Sequence, residues 1–582
     1  MSEKEKTQDE SIRIGVIVCH CGSNIGGVLN CKTLAEFAKT LSDVVYSDDN
    51  SYLCSESGLA CIKNAIKENN LNRLVIAGCT PRTHERLFQN TIREAGINPY
   101  LFILVNILYQ CSWAHLSEPQ KAMDKAKELI AKNVSKVKFL EPIYETTVDI
   151  NHSALIIGGG IAGITVALSL AKQGFESYIV EREKELGGLV KNIHYVLGPG
   201  NPQEYLKSLI EQVKNHNRIK IYTDARIEEI NGFIGNFSTL INHKNLNKEL
   251  DSGVIIVATG GREYKPEEYL YGKDERIITQ LELEQKIVTG QLKGKTIAMI
   301  QCVGSRNEER PICSRICCAE AIKNALKLKK INPKLNICIL HRDIHTYGFK
   351  EDYYKKAREK GVIFVRFDED FEPKVDIKAN KLTIAVNDVL LNERVVLETD
   401  LIVLSSAFLP SENKELSKLL KVPLDENGFF LEAHVKYRPL EFASEGIFLC
   451  GAAQWPKFID ETIAQALGAS SRASTILSKD KLSIIGSIAE IDEDMCIGCG
   501  NCRDLCAYNA IEIGDRKSEY KANGVMEQSQ AELIWYKSKV HSAMCKGCGR
   551  CIEVCPVGAL TLRHFSFQHL TDVSQSFKYQ EK

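Results

Sequence analysis

The chain alternates short apolar runs with segments whose apolar positions recur every three or four residues. Residues 12–18, apolar but for Arg13, read as a buried strand, and residues 74–77 form another apolar run. Helical spacing fills 33–40 and 58–68 between them, so an α/β unit is predicted over roughly residues 11–140. A fresh strand at 154–157 opens a second α/β system that runs to about residue 478. Within it, 295–367 repeats the strand-helix alternation, as a domain inserted into the first would. From residue 484 the chain becomes cysteine-dense until about 562 and then ends in a polar tail. The expected boundaries are therefore 1–150, then 151–290 together with 401–480, an insertion over 291–400, a compact module over 484–568, and a tail over 569–582. The only internal repeat visible at this level is a pair of four-cysteine runs.

Composition narrows the function class. At 582 residues with 44% hydrophobic and 26% charged positions, the chain can bury several cores and needs no disulfide framework. Its 74 basic and 75 acidic residues leave a formal charge of -1, which offers no field for gripping nucleic acid or an anionic membrane. The charged first ten residues lack a secretory pattern, and the longest apolar stretch, 101–108, is short and interrupted by Asn106. A cytoplasmic protein without a membrane anchor is expected. Its 21 cysteines should then be reduced, and each asks for a reason.

Eight of them are the plainest. Cys496, Cys499, Cys502 and Cys506 follow C-x2-C-x2-C-x3-C, and Cys545, Cys548, Cys551 and Cys555 repeat it with Pro556 after the second run. This is the two-cluster bacterial ferredoxin spacing, in which three thiolates hold one [4Fe–4S] cubane and the fourth reaches the other. Structural zinc would account for C-x2-C pairs but not for two complete four-cysteine runs. Ala507 stands where the first run would usually carry proline, and 38 residues separate Cys506 from Cys545, more than a minimal ferredoxin needs.

A second constellation follows the 154–157 strand. Gly158, Gly160 and Gly163 are spaced for a tight turn, for close approach to a pyrophosphate, and for helix packing, with Ala162 between the last two. Glu181 closes the next strand 18 residues beyond Gly163, beside Arg182, where an acid binds ribose hydroxyls. A glycine motif alone could be a structural turn, and its strand-turn-helix-strand-acid setting argues otherwise. Three later segments resemble those of thioredoxin-reductase-like disulfide oxidoreductases: Gly187-Gly188, the return strand ending Ala258-Thr259-Gly260, and the stretch leading to Gly451-Ala452 ahead of a helix. The resemblance implies FAD at this site, with the closing helix aimed at the flavin.

In such enzymes the inserted domain opens with its own glycine loop for NAD(P)H. Here a strand over 295–300 leads instead to Cys302, then Cys313, Cys317 and Cys318, and no second G-x-G-x-x-G occurs. The spacing C-x10-C-x3-C-C is uncommon, and locally a cubane competes with a catalytic disulfide or with buried thiols. A flavin without a nicotinamide site still needs an electron partner, which favours the cubane. Lys323 lies about 7 Å along the following helix from Cys318. It is a candidate catalytic lysine for tuning the flavin, with a solvated surface lysine as the alternative.

The N-terminal unit carries Cys19, Cys21, Cys54, Cys79 and Cys111 near predicted strand ends, where thiols from separate strands can meet. A further cluster or metal-free reactive thiols would each explain them, and which four would ligate stays open. Cys31, Cys61 and Cys338 read as core residues.

Taken together, Cys19-His20-Cys21-Gly22-Ser23-Asn24-Ile25-Gly26-Gly27, Pro81-Arg82-Thr83-His84-Glu85, Gln110-Cys111-Ser112-Trp113-Ala114-His115, Cys302-Val303-Gly304-Ser305-Arg306 and Cys313-Ser314-Arg315-Ile316-Cys317-Cys318 resemble the A-type subunits of heterodisulfide reductase. The resemblance covers nearly the whole chain. It implies an α/β, thioredoxin-reductase-like two-dinucleotide-domain flavoprotein with an N-terminal α/β domain and a C-terminal bacterial-ferredoxin-like α+β domain. Many members carry an extra ferredoxin insertion in the flavin domain, whereas residues 191–213 here contain no cysteine, so the chain resembles a short form. That leaves FAD and four [4Fe–4S] clusters.

The resemblance further implies flavin-based electron bifurcation. FAD would take electron pairs from a hydrogenase, formate dehydrogenase or similar partner. One electron would go to ferredoxin and the other to a disulfide-reducing acceptor on B- and C-like sister subunits, in a hetero-oligomer of which a dimer of heteromers is one form. Heterodisulfide cleavage itself belongs to a separate subunit of the family. The competing reading is a stand-alone flavin-dependent disulfide or small-molecule reductase, against which the missing nicotinamide loop argues.

Overall fold

The computed structural model describes residues 11–562 apart from 145, 293, 485–487, 509 and 514–536. The polar N-terminus, the tail expected at 569–582 and most of the connector between the two cysteine runs lie outside the described residues. Contacts divide the chain into two units, Met1–Thr147 with Ser483–Lys582, and Val148–Leu482.

In the N-terminal domain the apolar runs become a four-stranded parallel sheet in the order Val44–Asn50, Ile14–Cys19, Arg73–Gly78, Phe102–Asn106. Every residue of Ile14–Cys19 is buried, as a central strand covered on both faces requires. Ile14, Ile17, Leu34 and Leu74 are fully buried, each worth about 2 kcal/mol of apolar transfer. Asn30 starts the helix Cys31–Lys39 by accepting the Thr33 N–H at 3.1 Å. The edge strand Val44–Asn50 escapes the hydrophobic pattern because its sequence, VVYSDDN, is half polar and only partly buried. Because the strands are parallel, the loops bearing Cys21, Cys54 and Cys79 all leave from the carboxyl end of the sheet.

The second unit holds two lobes of one design. The flavin-type lobe has a parallel sheet ordered Ile447–Leu449, Val254–Val257, Ser153–Ile157, Glu176–Val180, Ile219–Tyr222. The inserted lobe is ordered Ile277–Thr279, Leu401–Ser406, Thr296–Val303, Asn336–His341, Val362–Arg366, again all parallel. Each sheet is interrupted in the chain by a three-stranded antiparallel meander, Ala225–Phe233 to Leu246–Ser252 ahead of Val254–Val257 in one lobe and Lys374–Lys378 to Glu393–Thr399 ahead of Leu401–Ser406 in the other. The fold thus contains a duplication beyond the paired cysteine runs. Topology is retained while the turn residues differ, so in sequence it shows only as a repeated strand-helix alternation and not as a repeated motif.

The inserted sheet takes in Ile277–Thr279 and Leu401–Ser406, both outside the expected 291–400. A three-residue strand is too short to carry a period, and Leu401–Ser406 reads equally well as part of either lobe. The lobes are joined by an antiparallel ribbon of Gly261–Glu263 and Phe408–Pro410.

In the C-terminal module Ala489–Ile491 pairs antiparallel with Leu560–Leu562, and Ile511–Ile513 with Ser538–Val540. Its two short helices, Asn501–Leu505 and Arg550–Glu553, are each preceded by a left-handed glycine, Gly500 at φ 81° and Gly549 at φ 76°. Among the described residues no helix is long and apolar enough to cross a membrane.

Candidate redox centre

The glycine turn after Ser153–Ile157 is built by the absence of side chains. A Cβ on Gly158 would lie 2.4 Å from the Ala258 carbonyl oxygen, and one on Gly163 would lie 1.9 Å from the Gly158 carbonyl oxygen. Above Gly160 the space is open, the nearest atom to an added Cβ being the Gly188 Cα at 4.0 Å. Gly160 starts the helix Ile161–Lys172 with no side-chain cap, so its first N–H groups are left for an anion.

Glu181 is buried at the end of Glu176–Val180. Its carboxylate accepts the Gly159 N–H at 2.6 Å and the Glu183 N–H at 2.9 Å, so it braces the loop it was expected to serve. Arg182 is half exposed, 3.5 Å from the Glu183 carboxylate. Gly187 pairs with Gly160 in an isolated parallel bridge, and Gly187 and Gly188 both take positive φ. Ala258 is buried beside the turn, and the Thr259 hydroxyl donates to Asn413 at 3.1 Å, ahead of Gly260 at φ 67°. Gly451 and Ala452 form a 3-10 turn before the helix Ile459–Leu477, and Gln465 of that helix accepts the Gly451 N–H at 2.7 Å. A Cβ on Gly451 would meet the Ala162 methyl at 2.9 Å, so the two loops close on one another. This cradle fits the pyrophosphate and ribose of FAD.

In the inserted lobe the corresponding turn is filled with thiols. Cys302 ends a bulged strand at φ 63°, and Cys317 and Cys318 are the first two residues of the helix Cys317–Ile331. Burial pushes the Cys302 thiol up to about 12, and Cys318 and Cys313 push in the same direction while Arg306 opposes them. Cys317 and Cys318 share a hydrogen bond that raises the first and lowers the second. Cys302 and Cys313 both act on Cys317, so all four sulfurs converge. Arg306, paired to Asp343 at 2.5 Å, is a cation beside them. Four crowded, largely buried thiols at an uncapped helix N-terminus are a donor set that suits an iron–sulfur cluster.

The N-terminal cysteines divide. Burial raises Cys19 and Cys79, and each also responds to Cys21 and Cys54, so these four come together. Thr83 and His84 of the Pro81–Glu94 helix both reach the Cys79 sulfur, at 3.8 and 3.5 Å, which accounts for that motif. Cys111 lies in the π-helix Leu108–Ser112, fully buried, with its thiol pushed by burial up to about 11 and Lys125 as the charge acting on it. Its neighbour Ser112 donates instead to the Asn24 carbonyl and buttresses the Cys21 loop. Cys31 and Cys338 are core residues, as expected, while Cys61 is only partly buried.

In the C-terminal module Cys496, Cys499 and Cys502 line one small cavity together with Cys555 from the second run. One cavity thus draws three cysteines from the first run and one from the second. Cys551 is pushed up to about 11 by burial, then by Cys545 and Cys548. Cys506 packs on the same core as Cys545 and Cys551. Backbone N–H groups point at the sulfurs, Ala510 to Cys506 at 3.3 Å and Ala559 to Cys555 at 3.2 Å. Among the described residues no three His, Cys, Asp or Glu side chains close to the spacing of a single ion. A cubane spreads its ligands over four irons and asks for wider spacing.

Lys323 is not solvated. Its ammonium sits 2.6 Å from the fully buried Glu284 carboxylate and 5.0 Å over the Tyr195 ring. Glu284 also accepts the His194 and Tyr195 N–H groups, at 2.5 and 3.1 Å. Sequence reasoning missed Glu284, Gln465 and Lys457. Lys457, before the closing helix, is pushed down to about 8 by burial and then by Arg315. Only the helical spacing around Glu284 hinted at any of them, since their partners come from distant segments.

The family described as pyridine nucleotide-disulphide oxidoreductase matches residues 152–300, and the 4Fe-4S dicluster domain matches 495–559. The second of two iron-sulfur A subunits of CoB--CoM heterodisulfide reductase from Methanopyrus kandleri is 35% identical over 606 aligned positions, covering 87% of this chain and 92% of that protein. The chain belongs to the family of heterodisulfide reductase A subunits. Another member, the A subunit of the H(2):CoB-CoM heterodisulfide,ferredoxin reductase of Methanothermobacter thermautotrophicus, is 34% identical across 88% of this chain and 92% of its own length. Among solved structures, the thioredoxin reductase of T. acidophilum covers 56% of this chain and 98% of its own, at 18% identity and a TM-score of 0.40. As a family member the chain is a FAD-dependent, [4Fe–4S]-carrying oxidoreductase with the two-domain flavoprotein fold and a ferredoxin-like C-terminal domain. The flavoprotein match ends at residue 300, two residues before Cys302.

Proposed function

We propose that this chain is the flavin-based electron-bifurcating component of a heterodisulfide-reductase-like complex, with four [4Fe–4S] clusters. The single observation that carries the reading is the convergence of Cys302, Cys313, Cys317 and Cys318 in the lobe position that mirrors the glycine turn. With FAD bound, its ring supplies the interchange between paired and single electrons. Gly158, Gly160, Gly163 and Glu181 hold the dinucleotide, and the closing helix directs its positive end toward the ring. Lys323, whose ammonium pairs with Glu284 at 2.6 Å, would contribute a cation at the lobe interface that favours a reduced, anionic ring.

Cys19, Cys21, Cys54 and Cys79 hold one cluster, the inserted-lobe cysteines a second, and the C-terminal runs two more. Electron pairs arrive from a hydrogenase-, formate-dehydrogenase- or similar partner, and single electrons leave for ferredoxin and for B/C-like subunits that reduce the disulfide. The names of relatives that couple heterodisulfide and ferredoxin reduction support this assignment of partners.

Anaerobic purification with iron, acid-labile sulfide and flavin counted per chain tests it. About sixteen irons and one FAD are expected for four cubanes. About eight irons, with Cys19 and Cys79 open to alkylation, would sink the four-cluster reading.

A further inference from the structure

Two residues of the inserted-lobe cysteine loop contribute no thiol and yet reach beyond the loop. Ser314 is buried, and its hydroxyl accepts the Phe408 N–H at 2.9 Å, on the ribbon strand that joins the lobes. Arg315 donates Nη1 to the Pro456 carbonyl at 3.0 Å, and Nη2 to Glu461 Oε1 at 3.0 Å and to the Tyr347 hydroxyl at 2.8 Å. Tyr347 donates in turn to the same Glu461 oxygen at 2.8 Å. The other Glu461 oxygen accepts the Phe458 N–H at 3.0 Å and so completes the N-terminal turn of the closing helix Ile459–Leu477. Lys350 reinforces the contact, 4.2 Å over the Phe458 ring and 3.7 Å from the Asp460 carboxylate.

These bonds cross between two lobes that also meet through the ribbon and through Glu284, which accepts the His194 and Tyr195 N–H groups; for two lobes joined by a narrow ribbon, hinge motion is the default expectation. Arg315 has φ 59°, a left-handed conformation that a residue with a side chain takes only where its surroundings hold it. A bidentate guanidinium fits this place, since one planar fork reaches a carbonyl on one side and a carboxylate on the other.

We propose that Arg315 is a positioning residue that clasps the flavin lobe's closing helix to the cysteine loop. The loop presenting Cys313, Cys317 and Cys318 thereby sets the orientation of the two lobes. Ser314 passes any change in the loop to the ribbon, and Arg315 passes it to the helix facing the flavin. The clasp stands on the contacts alone; the link to iron loading rests on the cluster reading above.

Hydrogen exchange followed by mass spectrometry, on the full chain purified anaerobically with iron and flavin counted in the same samples, tests both parts. For R315A, exchange across 454–462 and the ribbon segments 261–263 and 408–410 should quicken by about tenfold or more, with iron content unchanged. R315K should fall between, because an ammonium cannot fork. Y347F, a milder change that carries the test if R315A does not fold, should quicken 454–462 alone. Wild-type exchange in these segments for either folded variant would overturn the clasp. C317S should lose its iron and loosen the same segments; iron loss without loosening would overturn the coupling of loop to lobes. A wild-type iron count too low for a cluster at this loop would sink the cluster reading, while R315A and Y347F would still decide the clasp.

Discussion

The two lobes of the central unit turn at the same topological point and fill that turn in opposite ways. After Ser153–Ile157 the chain discards side chains, and Gly158 and Gly163 leave no room for a methyl. After Thr296–Val303 it adds them, placing Cys302 at the bulge and Cys317 and Cys318 on the first turn of the helix. Both helices begin without a side-chain cap, so both offer spare N–H donors and a positive dipole end. One slot therefore suits a pyrophosphate and the other a set of thiolates. The difference teaches that the strand-turn-helix frame supplies the electrostatics, while the size and softness of a few turn residues choose the group it receives.

Breaking the first turn should have the largest effect. G163A puts a methyl 1.9 Å from the Gly158 carbonyl oxygen, so the loop must open. Flavin content should drop from one per chain to near zero by absorbance after desalting, with iron retained. Breaking the second turn should do the reverse. C317S should remove about four of about sixteen irons, counted chemically, and leave FAD bound.

A smaller effect sharpens how the lobes share charge. K323M leaves Glu284 fully buried without its cation and should cost about 3 kcal/mol in chemical unfolding, and the double variant K323M/E284Q should recover part of that loss.

Much of this was legible in the sequence, for a physical reason. Glycine spacing and cysteine spacing both report local backbone geometry, so the flavin turn and the C-terminal runs could be read directly. The central strands were legible too, because strands such as Ser153–Ile157 are buried throughout and read as unbroken apolar runs. The meanders were not. Ala225–Phe233 and Lys374–Lys378 are largely exposed and interrupted by charged residues, so no apolar period marks them.

Cys111 illustrates a second limit. Its place after an apolar run marked it as a candidate, and the π-helix that buries its side chain leaves no trace in the hydrophobic pattern. Lys323 illustrates a third. Its helix is lysine-rich, and only tertiary packing against Glu284 distinguishes a buried lysine from its solvated neighbours.

The cavity shared by Cys496, Cys499, Cys502 and Cys555 has a consequence for how the C-terminal module comes into being. The first run does not close its own cavity, so a nascent chain must have emerged through Cys555 before that cavity is complete. The first and last strands of the module, Ala489–Ile491 and Leu560–Leu562, pair with each other and impose the same condition on the backbone. A truncation short of Cys555 therefore opens the first cavity as well as removing the last cysteine of the second run.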